Sequence, residues 1–252
     1  MGRVQDKVAL VTGGGSGLGA ADCEVLAREG ARVVVTDVNL AAAQAVADRI
    51  EGESIALTLD VASEEGWKSV MAEIDTRYGR LDILVNNAGV VHMADFEECT
   101  LERFKWVNAI MSEGVFLGCK HAAPLMNKND GGSIVNMSST GALLGYPIFF
   151  AYSAAKGAVR SLTKSVAIAC QVKGYKIRCN SVHPGSIETP MVQLAEGRVG
   201  DERPVEEGVL PPGANGSPKD VANLVLFLAS DESRFITGAE YVIDNGVTIR
   251  PF

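Results

Sequence analysis

The sequence predicts a doubly wound α/β fold, with one domain over residues 1–252 built on a seven-stranded parallel sheet that carries helices on both faces. Seven short runs rich in β-branched residues recur along the chain, and each is followed by a stretch of helical character. Nearly continuous apolar strands that alternate with helices are typical of a parallel sheet buried on both faces. No break in composition separates off a second domain.

The predicted strands follow one another at intervals that leave room for a helix between them. In order, the runs are KVALVT from residue 7, ARVVVTD from 31, SIALTLD from 54, LDILVNN from 81, GSIVNMSS from 132, YKIRCNSV from 175 and EYVID from 240. Residues 191–217 break this rhythm, because they are rich in proline and glycine and show little periodicity. We expect there either an irregular surface excursion or a lid over a binding cleft.

Composition argues against several classes of protein. A formal net charge of -8 without any lysine-arginine cluster disfavours nucleic acid and anionic membranes as partners. No run reaches the roughly 18 apolar residues of a membrane span, and residues 1–7 contain no apolar leader, so we expect a cytoplasmic protein. The five cysteines are scattered and form no CxxC pair, which favours small buried hydrophobes over a disulfide framework or a metal site.

The first predicted strand runs into a glycine-rich turn, TGGGSGLG at Thr12 to Gly19, and then into a helix that ends near Gly30. Glycines at 13, 17 and 19 let the backbone turn tightly and approach a pyrophosphate, while the helix N-terminus offers unpaired N–H groups. Glycine turns also occur in S-adenosylmethionine enzymes and in purely structural bends. The turn alone therefore indicates a dinucleotide only as one possibility.

The second predicted strand ends at Asp37, eighteen residues after Gly19. A carboxylate at this place accepts hydrogen bonds from both hydroxyls of an adenosine ribose, whereas a 2'-phosphate would meet a like charge. No lysine or arginine occurs at 13–19 or 36–43 to offset that charge, so the sequence favours NAD over NADP. The alternative is a solvated aspartate that merely ends a strand.

A tyrosine and a lysine share one face of a predicted helix in the stretch YSAAKGAV, as Tyr152 and Lys156. Positions i and i+4 point the same way, so the pair is either a chance surface contact or an acid-base device in a cleft. A free tyrosine titrates near pH ~10, and a neighbouring ammonium favours its phenolate. We expect Lys156 to lower the pKa of Tyr152 by about 3 units, equivalent to roughly 4 kcal/mol.

Along essentially its whole length the sequence resembles the short-chain dehydrogenase/reductase family. The resemblance is carried by seven motifs: TGxxxGxG at 12–19, DV at 60–61, NNAG at 86–89, Asn108, Ser139, Tyr152-x-x-x-Lys156 and HPGSIETP at 183–190. It is closest to bacterial hydroxysteroid and cyclic secondary-alcohol dehydrogenases. The resemblance implies a Rossmann-type fold and hydride transfer between NAD and a hydrophobic secondary alcohol or ketone.

The resemblance also implies roles for four catalytic residues. Tyr152 exchanges a proton with the substrate oxygen, Ser139 holds that oxygen, and Lys156 binds the nicotinamide ribose and relays the proton outward with Asn108. Ser138 competes with Ser139 for its role. Asn108 shares a helical stripe with apolar residues at 101, 104, 111 and 115, so its amide either joins the relay or bonds its own backbone.

The expected cofactor contacts follow the same motifs, and they comprise Gly13, Ser16, Gly17, Leu18, Gly19, Asp37, Asp60, Val61, Asn86, Asn87, Ala88, Gly89, Tyr152, Lys156, Pro184, Gly185, Ile187 and Thr189. Asp60 and Val61 would flank the adenine, and the segment from Pro184 to Thr189 would position the nicotinamide carboxamide. The three histidines stand outside any triad or metal spacing and are expected to be structural.

The expected substrate pocket is mostly apolar, and its walls comprise Ser139, Thr140, Ala142, Leu144, Tyr146 and Phe149, with His92, Met93, Met191 and Leu194 opposite. The segment from Glu188 to Glu207 contains six acidic residues and only two arginines, which disfavours docking of acyl carrier protein. A neutral alicyclic or steroid-like alcohol is expected instead. The family commonly forms oligomers, so a homo-oligomer, a tetramer rather than a dimer, is expected.

Two alternatives remain open at this point. A β-ketoacyl reductase of fatty-acid synthesis would prefer NADPH and present a basic docking face, which Asp37 and the acidic 188–207 segment both disfavour. A non-catalytic dinucleotide-sensing module would have no need of the tyrosine and lysine. A methyltransferase would share the glycine turn but would make no use of the serine, tyrosine and lysine together.

Overall fold

The computed structural model describes residues 2–198, 208, 210–211 and 213–250, and a seven-stranded sheet lies at its centre. All seven predicted strands form. Their bounds are β1 Val8–Thr12, β2 Arg32–Asp37, β3 Ser54–Thr58, β4 Ile83–Asn86, β5 Gly132–Met137, β6 Ile177–Pro184 and β7 Glu240–Ile243.

The sheet is parallel throughout, and its strand order is β3-β2-β1-β4-β5-β6-β7. The chain builds outward from β1 to β3 and then returns to place β4 on the other side of β1. In such sheets a crevice opens at the carboxyl ends of the strands where the direction of winding reverses. The doubly wound Rossmann-type prediction is therefore confirmed, and the crevice is expected between β1 and β4.

Helices cover both faces of the sheet. The α-helices are α1 Gly17–Arg28, α2 Leu40–Ala47, α3 Glu64–Tyr78, α4 Leu101–Asn108, α5 Gly114–Lys128, α6 Phe150–Val172, α7 Pro190–Ala195 and α8 Pro218–Ala229. A π-helical turn at Ala109–Glu113 joins α4 to α5, and short 3-10 turns occupy Thr140–Ala142, Asp231–Ser233 and Val247–Ile249.

The core lies in two layers, one on each face of the sheet. On β1, Val8 and Leu10 pack into the layer beneath α3, α5 and α6, while Ala9 and Val11 pack into the layer beneath α1, α2 and α8. All four side chains are fully buried, as the alternation of side chains along a strand requires when both faces are covered. This double burial explains why the strands are apolar along nearly their whole length.

Two segments differ from the sequence expectation. The helical stripe predicted from Leu101 to Val115 is interrupted by the π turn at 109–113, and Leu101 is 67% exposed while Val107 is buried. A π turn inserts an extra residue and rotates everything before it relative to everything after it. In the 191–217 segment, residues 191–195 belong to the helix α7; residues 199–207, 209 and 212 of that predicted lid lie outside the described residues.

Over the residues described, no helix combines the length and apolar character needed to cross a membrane. The same residues contain no group of three or more histidine, cysteine or acidic side chains placed to hold a metal ion. Four of the five cysteines are buried and all five are unpaired thiols, as small hydrophobic side chains would be.

Candidate active site

The glycine turn forms a cradle at the carboxyl end of β1. Gly13 and Gly17 have φ angles of 63° and 55°, in the left-handed region that glycine adopts without strain. A Cβ atom added to Gly19 would lie 2.2 Å from the carbonyl oxygen of Gly13, so the turn and the helix approach too closely for any side chain. The close approach therefore requires glycine at position 19.

The N-terminus of α1 opens onto this cradle. Ser16 is the N-cap residue, but its side chain makes no capping hydrogen bond to the first turn of the helix. The N–H groups of that turn are left for a ligand, and the helix dipole favours an anion there. Together with the glycine contacts, this arrangement fits the pyrophosphate of a dinucleotide.

Asp37 lies at the end of β2 on the adenosine side of the same crevice. Its carboxylate accepts hydrogen bonds from the backbone N–H of Gly15 at 3.1 Å and of Asn39 at 2.9 Å. Among the described residues that line the crevice, Lys156 alone carries a cationic side chain, and it belongs to α6. The carboxylate thus stiffens the glycine turn and leaves this end of the crevice acidic.

The crevice is a cavity of about 310 Å³, and it brings most of the predicted cofactor residues together. Those that line it are Gly13, Ser16, Gly17, Leu18, Asp37, Asn87, Gly89, Tyr152, Lys156, Pro184, Gly185, Ile187 and Thr189. Predicted residues from β1, β2, β4, α6 and the loop after β6 therefore converge on one space.

Five predicted cofactor residues lie outside this lining. Gly19 is buried behind the cradle, and the exposed Asp60 accepts a hydrogen bond from its own loop, at Ala62 N. Val61 packs against α5, and Ala88 donates its N–H to Thr12 Oγ1. Asn86 turns into the core.

The side-chain amide of Asn86 donates to Asn136 Oδ1 at 2.8 Å, because strand alternation directs this residue away from the crevice. Asn87, one residue further, donates its amide to the carbonyl of Thr12 at 2.9 Å and reaches the cavity wall. Of the two asparagines in the NNAG motif, the second is the one placed at the cofactor crevice.

Tyr152 and Lys156 point into this crevice from α6. The Lys156 ammonium lies 5.6 Å from the centre of the Tyr152 ring and donates to the carbonyl of Met137 at 2.7 Å. Only 4% of Lys156 is exposed, which is unusual for a lysine on a helix. The pair is therefore built into a cleft, as an acid-base device requires, and is no chance surface contact.

The structure separates the two serines that competed for one role. Ser138 is buried, and its hydroxyl donates to the backbone carbonyl of Lys156 at 3.0 Å. Ser139 is half-buried, accepts from the N–H of Gly141 at 3.1 Å, and hydrogen-bonds the Tyr152 phenol. Ser139 is thus the serine placed to meet a substrate oxygen, while Ser138 is hydrogen-bonded to the backbone of the helix α6.

The electrostatics of the pair differ from the expectation. Burial raises the pKa of Tyr152, and the hydrogen bond from Ser139 offsets this only in part. Burial also lowers the pKa of Lys156 to about 8. The expected lowering of the Tyr152 pKa is therefore wrong for the protein by itself, because desolvation of the phenol outweighs the hydrogen bond with Ser139.

Asn108 is the last residue of α4 and lies immediately before the π turn. Its side-chain amide donates to the carbonyl of Phe104 at 2.9 Å, one turn earlier in its own helix. It does not line the crevice in the described structure. The bond to its own backbone matches the simpler of the two interpretations, and the relay role stays a prediction.

A second cavity, of about 400 Å³, adjoins the crevice at Tyr152. The predicted substrate residues that line it are Ser139, Thr140, Tyr146, Phe149 and Met191. Ser139, Tyr152, Gly185, Met191 and Val192 line both cavities. An apolar ligand in the second cavity would therefore meet a ligand in the first beside the tyrosine and serine.

Five predicted substrate residues do not line this cavity, and several others were missed. Leu194 is 57% exposed, and Leu144, Ala142, His92 and Met93 also lie outside the lining. On α7, Met191, Val192 and Ala195 face the cavity, whereas Leu194 does not. The residues missed are Val91, Gly141, Ile148, Ser186, Val192, Ala195 and Glu196.

His183 supports the site from behind. Its ring contacts the backbone carbonyl of Ser139 at 3.2 Å through Nδ1 and the hydroxyl of Ser181 at 2.9 Å through Nε2. The ring is fully buried, and burial lowers its pKa, which favours the neutral form. This histidine is structural, as expected, and it holds the segment that carries Ser139.

Comparison with known proteins agrees with this geometry. Residues 13–248 match the family model described as Enoyl-(Acyl carrier protein) reductase, a model of the short-chain dehydrogenase family. The chain belongs to the short-chain dehydrogenase/reductase family, whose members are oxidoreductases that use a nicotinamide cofactor.

Three relatives cover nearly the whole chain. A 3-beta-hydroxysteroid dehydrogenase from Comamonas testosteroni is 44% identical, with 97% of both chains aligned. A cyclopentanol dehydrogenase from Comamonas sp. (strain NCIMB 9872) is 42% identical, over 98% of this chain and 99% of its own. An NADP-dependent (R)-specific alcohol dehydrogenase from Lentilactobacillus kefiri is 39% identical, over 98% of each chain.

Proposed function

We propose that this protein transfers a hydride reversibly between NAD and the reacting carbon of a hydrophobic secondary alcohol or ketone. The observation that carries the proposal is that Ser139 and Tyr152 form a wall common to two cavities, one cradled by glycines and one mostly apolar. The cofactor and substrate would meet there. Relatives named for steroid and cyclic alcohols support the same reaction class.

The chain's own residues bind and orient the two ligands and move the proton. The nicotinamide cofactor, when bound, supplies or accepts the hydride. Ser139 donates a hydrogen bond to the substrate oxygen, and Tyr152 exchanges the proton with that oxygen. Lys156 holds the nicotinamide ribose and, with Asn108, passes the proton outward. The raised pKa of Tyr152 keeps the phenol protonated at neutral pH, which favours ketone reduction, and a rising pH favours alcohol oxidation.

Asp37 supports NAD as the cofactor rather than NADP. Its carboxylate stands at the end of β2, and the described lining at that end of the crevice offers no cation to offset the charge of a 2'-phosphate. The relative from Lentilactobacillus kefiri is named for NADP dependence, so membership of the family does not by itself decide between the two cofactors. Measured preference for the two cofactors tests this part of the proposal directly.

The substrate is proposed to be an alicyclic or steroid-like alcohol. Aromatic and aliphatic side chains, with few polar groups, line the 400 Å³ cavity. The composition of residues 188–207, with six acids against two arginines, disfavours a β-ketoacyl reductase that docks acyl carrier protein. Its two described acids, Glu188 and Glu196, both pair with Arg198. The other acids of that argument, at 201, 202, 206 and 207, lie outside the described residues.

A homo-oligomer, a tetramer rather than a dimer, belongs to the proposal, as does a cytoplasmic location. Large apolar side chains on the α4 to α6 surface are exposed, among them Trp106, Phe116 and Ile168. The exposed apolar side chains on these helices support a subunit contact there. Sedimentation velocity of the purified protein measures the state directly.

The experiment is a panel of cyclic and steroid alcohols assayed with NAD and with NADP by absorbance of the reduced nicotinamide. We expect turnover of hydrophobic secondary alcohols with a strong preference for NAD. Tyr152→Phe should lower kcat by at least about 10³-fold while NADH still binds, since the substitution removes only the hydroxyl that exchanges the proton. Equal use of both cofactors would contradict the Asp37 argument, and an active Tyr152→Phe variant would remove the tyrosine from its role.

A further inference from the structure

A compact ion-pair hub lies beside the wall that the two cavities share. We define the Glu188 hub as Glu188, Gln193, Arg198 and Asn215. Glu188 stands between Ile187 and Thr189, both of which line the cofactor crevice. Its own side chain turns away from the crevice and is only 7% exposed, so it meets protein rather than solvent.

The Glu188 carboxylate receives donors from three places in the chain. Arg198 Nη2 lies 3.1 Å from Oε2, and Asn215 Nδ2 lies 3.1 Å from the same oxygen. Gln193 Nε2 donates to Oε1 at 3.2 Å. These donors, Arg198 first, lower the pKa of Glu188 to about 2, so the carboxylate is ionised throughout the range in which the protein works.

Backbone hydrogen bonds join the same three segments. Arg198 N donates to the carbonyl of Gln193 at 2.7 Å, which closes the turn after α7. Glu188 N donates to the carbonyl of Gly216 at 2.9 Å, and Gly216 N donates to Ser186 at 3.0 Å. The hub thus connects the loop after β6, the helix α7 and the residues that precede α8.

The position of α7 matters because its first turn faces both cavities. Met191 and Val192 line the crevice and the substrate cavity alike, whereas Gln193, the next residue, is the one held by Glu188. A helix of six residues has little stability of its own, so tertiary contacts must fix its place. The Glu188 contacts are among the polar ones that do so, together with the Thr189 cap of the helix.

We propose that Glu188 is a positioning residue for the proposed hydride transfer. Its carboxylate holds α7 at a fixed distance from the loop after β6, which would face the nicotinamide. Met191 and Val192 would then press the substrate carbon toward the cofactor. Glu188 touches neither substrate nor cofactor. The proposal rests on the function proposed above, because it needs two ligands to be aligned across the Tyr152 wall.

Two variants and a matched control test the proposal. Glu188→Gln keeps the shape of the side chain and removes its charge, and Glu188→Gln/Arg198→Met dismantles the pair without leaving the arginine unmatched at this oxygen. Glu232→Gln makes the same change at a bidentate pair with Arg3, whose atoms lie 2.7 Å and 2.8 Å apart outside both cavities.

We expect both hub variants to raise the KM for the alcohol and to lower kcat/KM at least tenfold, while the NADH dissociation constant changes less than threefold. Amide hydrogen exchange of residues 190–198, measured without ligands, should accelerate at least tenfold in both. The control should match the wild type in every measurement. If Glu188→Gln fails to fold, the double variant carries the test, because it removes both charges of the Glu188–Arg198 pair and, among the described residues, leaves only the partly exposed Glu196 without its arginine partner.

Two results would overturn the proposal: wild-type kcat/KM in the double variant, or unchanged amide exchange in residues 190–198. The first would mean that Glu188 serves only to neutralise Arg198. If the wild type turns over no secondary alcohol, the proposed function fails on its own, and the exchange measurement still decides whether Glu188 holds α7.

Discussion

Asp22 offers a test of the fold that does not depend on the reaction. It lies on α1, which packs against α8, and it is fully buried. Among the described residues, no hydrogen-bond partner reaches either of its carboxylate oxygens. Burial raises the pKa of this carboxyl well above its usual value, so the folded protein holds it protonated at a pH where the unfolded chain would ionise it.

The sign of the pH dependence follows from that difference. Below about pH 4 the carboxyl is neutral in both states, and the burial carries no ionisation penalty. As the pH rises toward the folded-state pKa, the folded protein binds more protons than the unfolded chain, so the free energy of unfolding falls by about 1.4 kcal/mol per pH unit. Above the folded-state pKa the loss levels off.

Two substitutions divide the effect into its parts. Asp22→Asn cannot ionise but keeps unpaired polar atoms, so it should match the wild type near pH 4 and exceed its stability at pH 8. Asp22→Leu, which is branched at the same carbon, also removes the unpaired atoms, each worth about 1–3 kcal/mol, and should be more stable than Asp22→Asn by up to about 2–6 kcal/mol at every pH.

Urea unfolding of the ligand-free protein, at one protein concentration and at pH values from 4 to 8, measures these differences. Asp48→Asn, at an exposed aspartate on the end of α2, is the matched control and should leave the pH dependence unchanged. The reasoning is refuted if the wild type and Asp22→Asn lose stability in parallel over this range, because Asp22 would then be ionised or hydrated inside the fold.

Two further predictions concern the cofactor crevice. Asp37→Asn removes the charge beside the proposed position of the ribose. Because a unit-charge interaction at about 5 Å corresponds to roughly 1–3 kcal/mol, the NADP to NAD ratio of kcat/KM should rise about 5–100-fold. An unchanged ratio would count against the charge argument. Gly19→Ala places a Cβ 2.2 Å from Gly13 O and should weaken NADH binding at least tenfold by fluorescence titration, whereas Gly145→Ala, whose Cβ meets nothing within 4 Å, should bind normally. Normal NADH binding by Gly19→Ala would show that the glycine turn can move to accommodate the added methyl group.

The architecture could be predicted because it depends on local patterns. Strands buried on both faces must be apolar along their length, and a glycine turn between a strand and a helix marks the first crossover. The residues at the carboxyl ends of strands, Asp37 and Ser139 among them, follow from the same reasoning, since parallel strands bring those ends to one edge. Sequence periodicity therefore located the edge of the sheet where the crevice opens, and the family resemblance supplied most of the residues that line it.

Other features depend on contacts that no local pattern records. The π turn after Asn108 changes the phase of the helix, so a stripe counted at regular helical spacing misplaces Leu101. The phase of α7 likewise decides that Ala195 rather than Leu194 faces the substrate cavity. The direction of the Tyr152 pKa shift is set by how completely the folded chain desolvates the phenol, which spacing alone does not reveal.

The shared wall at Tyr152 has a consequence for redesign. The residues that line the cofactor crevice come chiefly from the ends of strands and the long helix α6. Many of those that line the second cavity come from residues 140–149 and the short helix α7. On the proposed function, residues 140–149 and α7 would select the alcohol, while the strand ends and α6 would hold the cofactor. Libraries confined to residues 140–149 would alter which ligands enter the second cavity, whereas changes at Met191 or Val192 would also reach the crevice, because both residues line it.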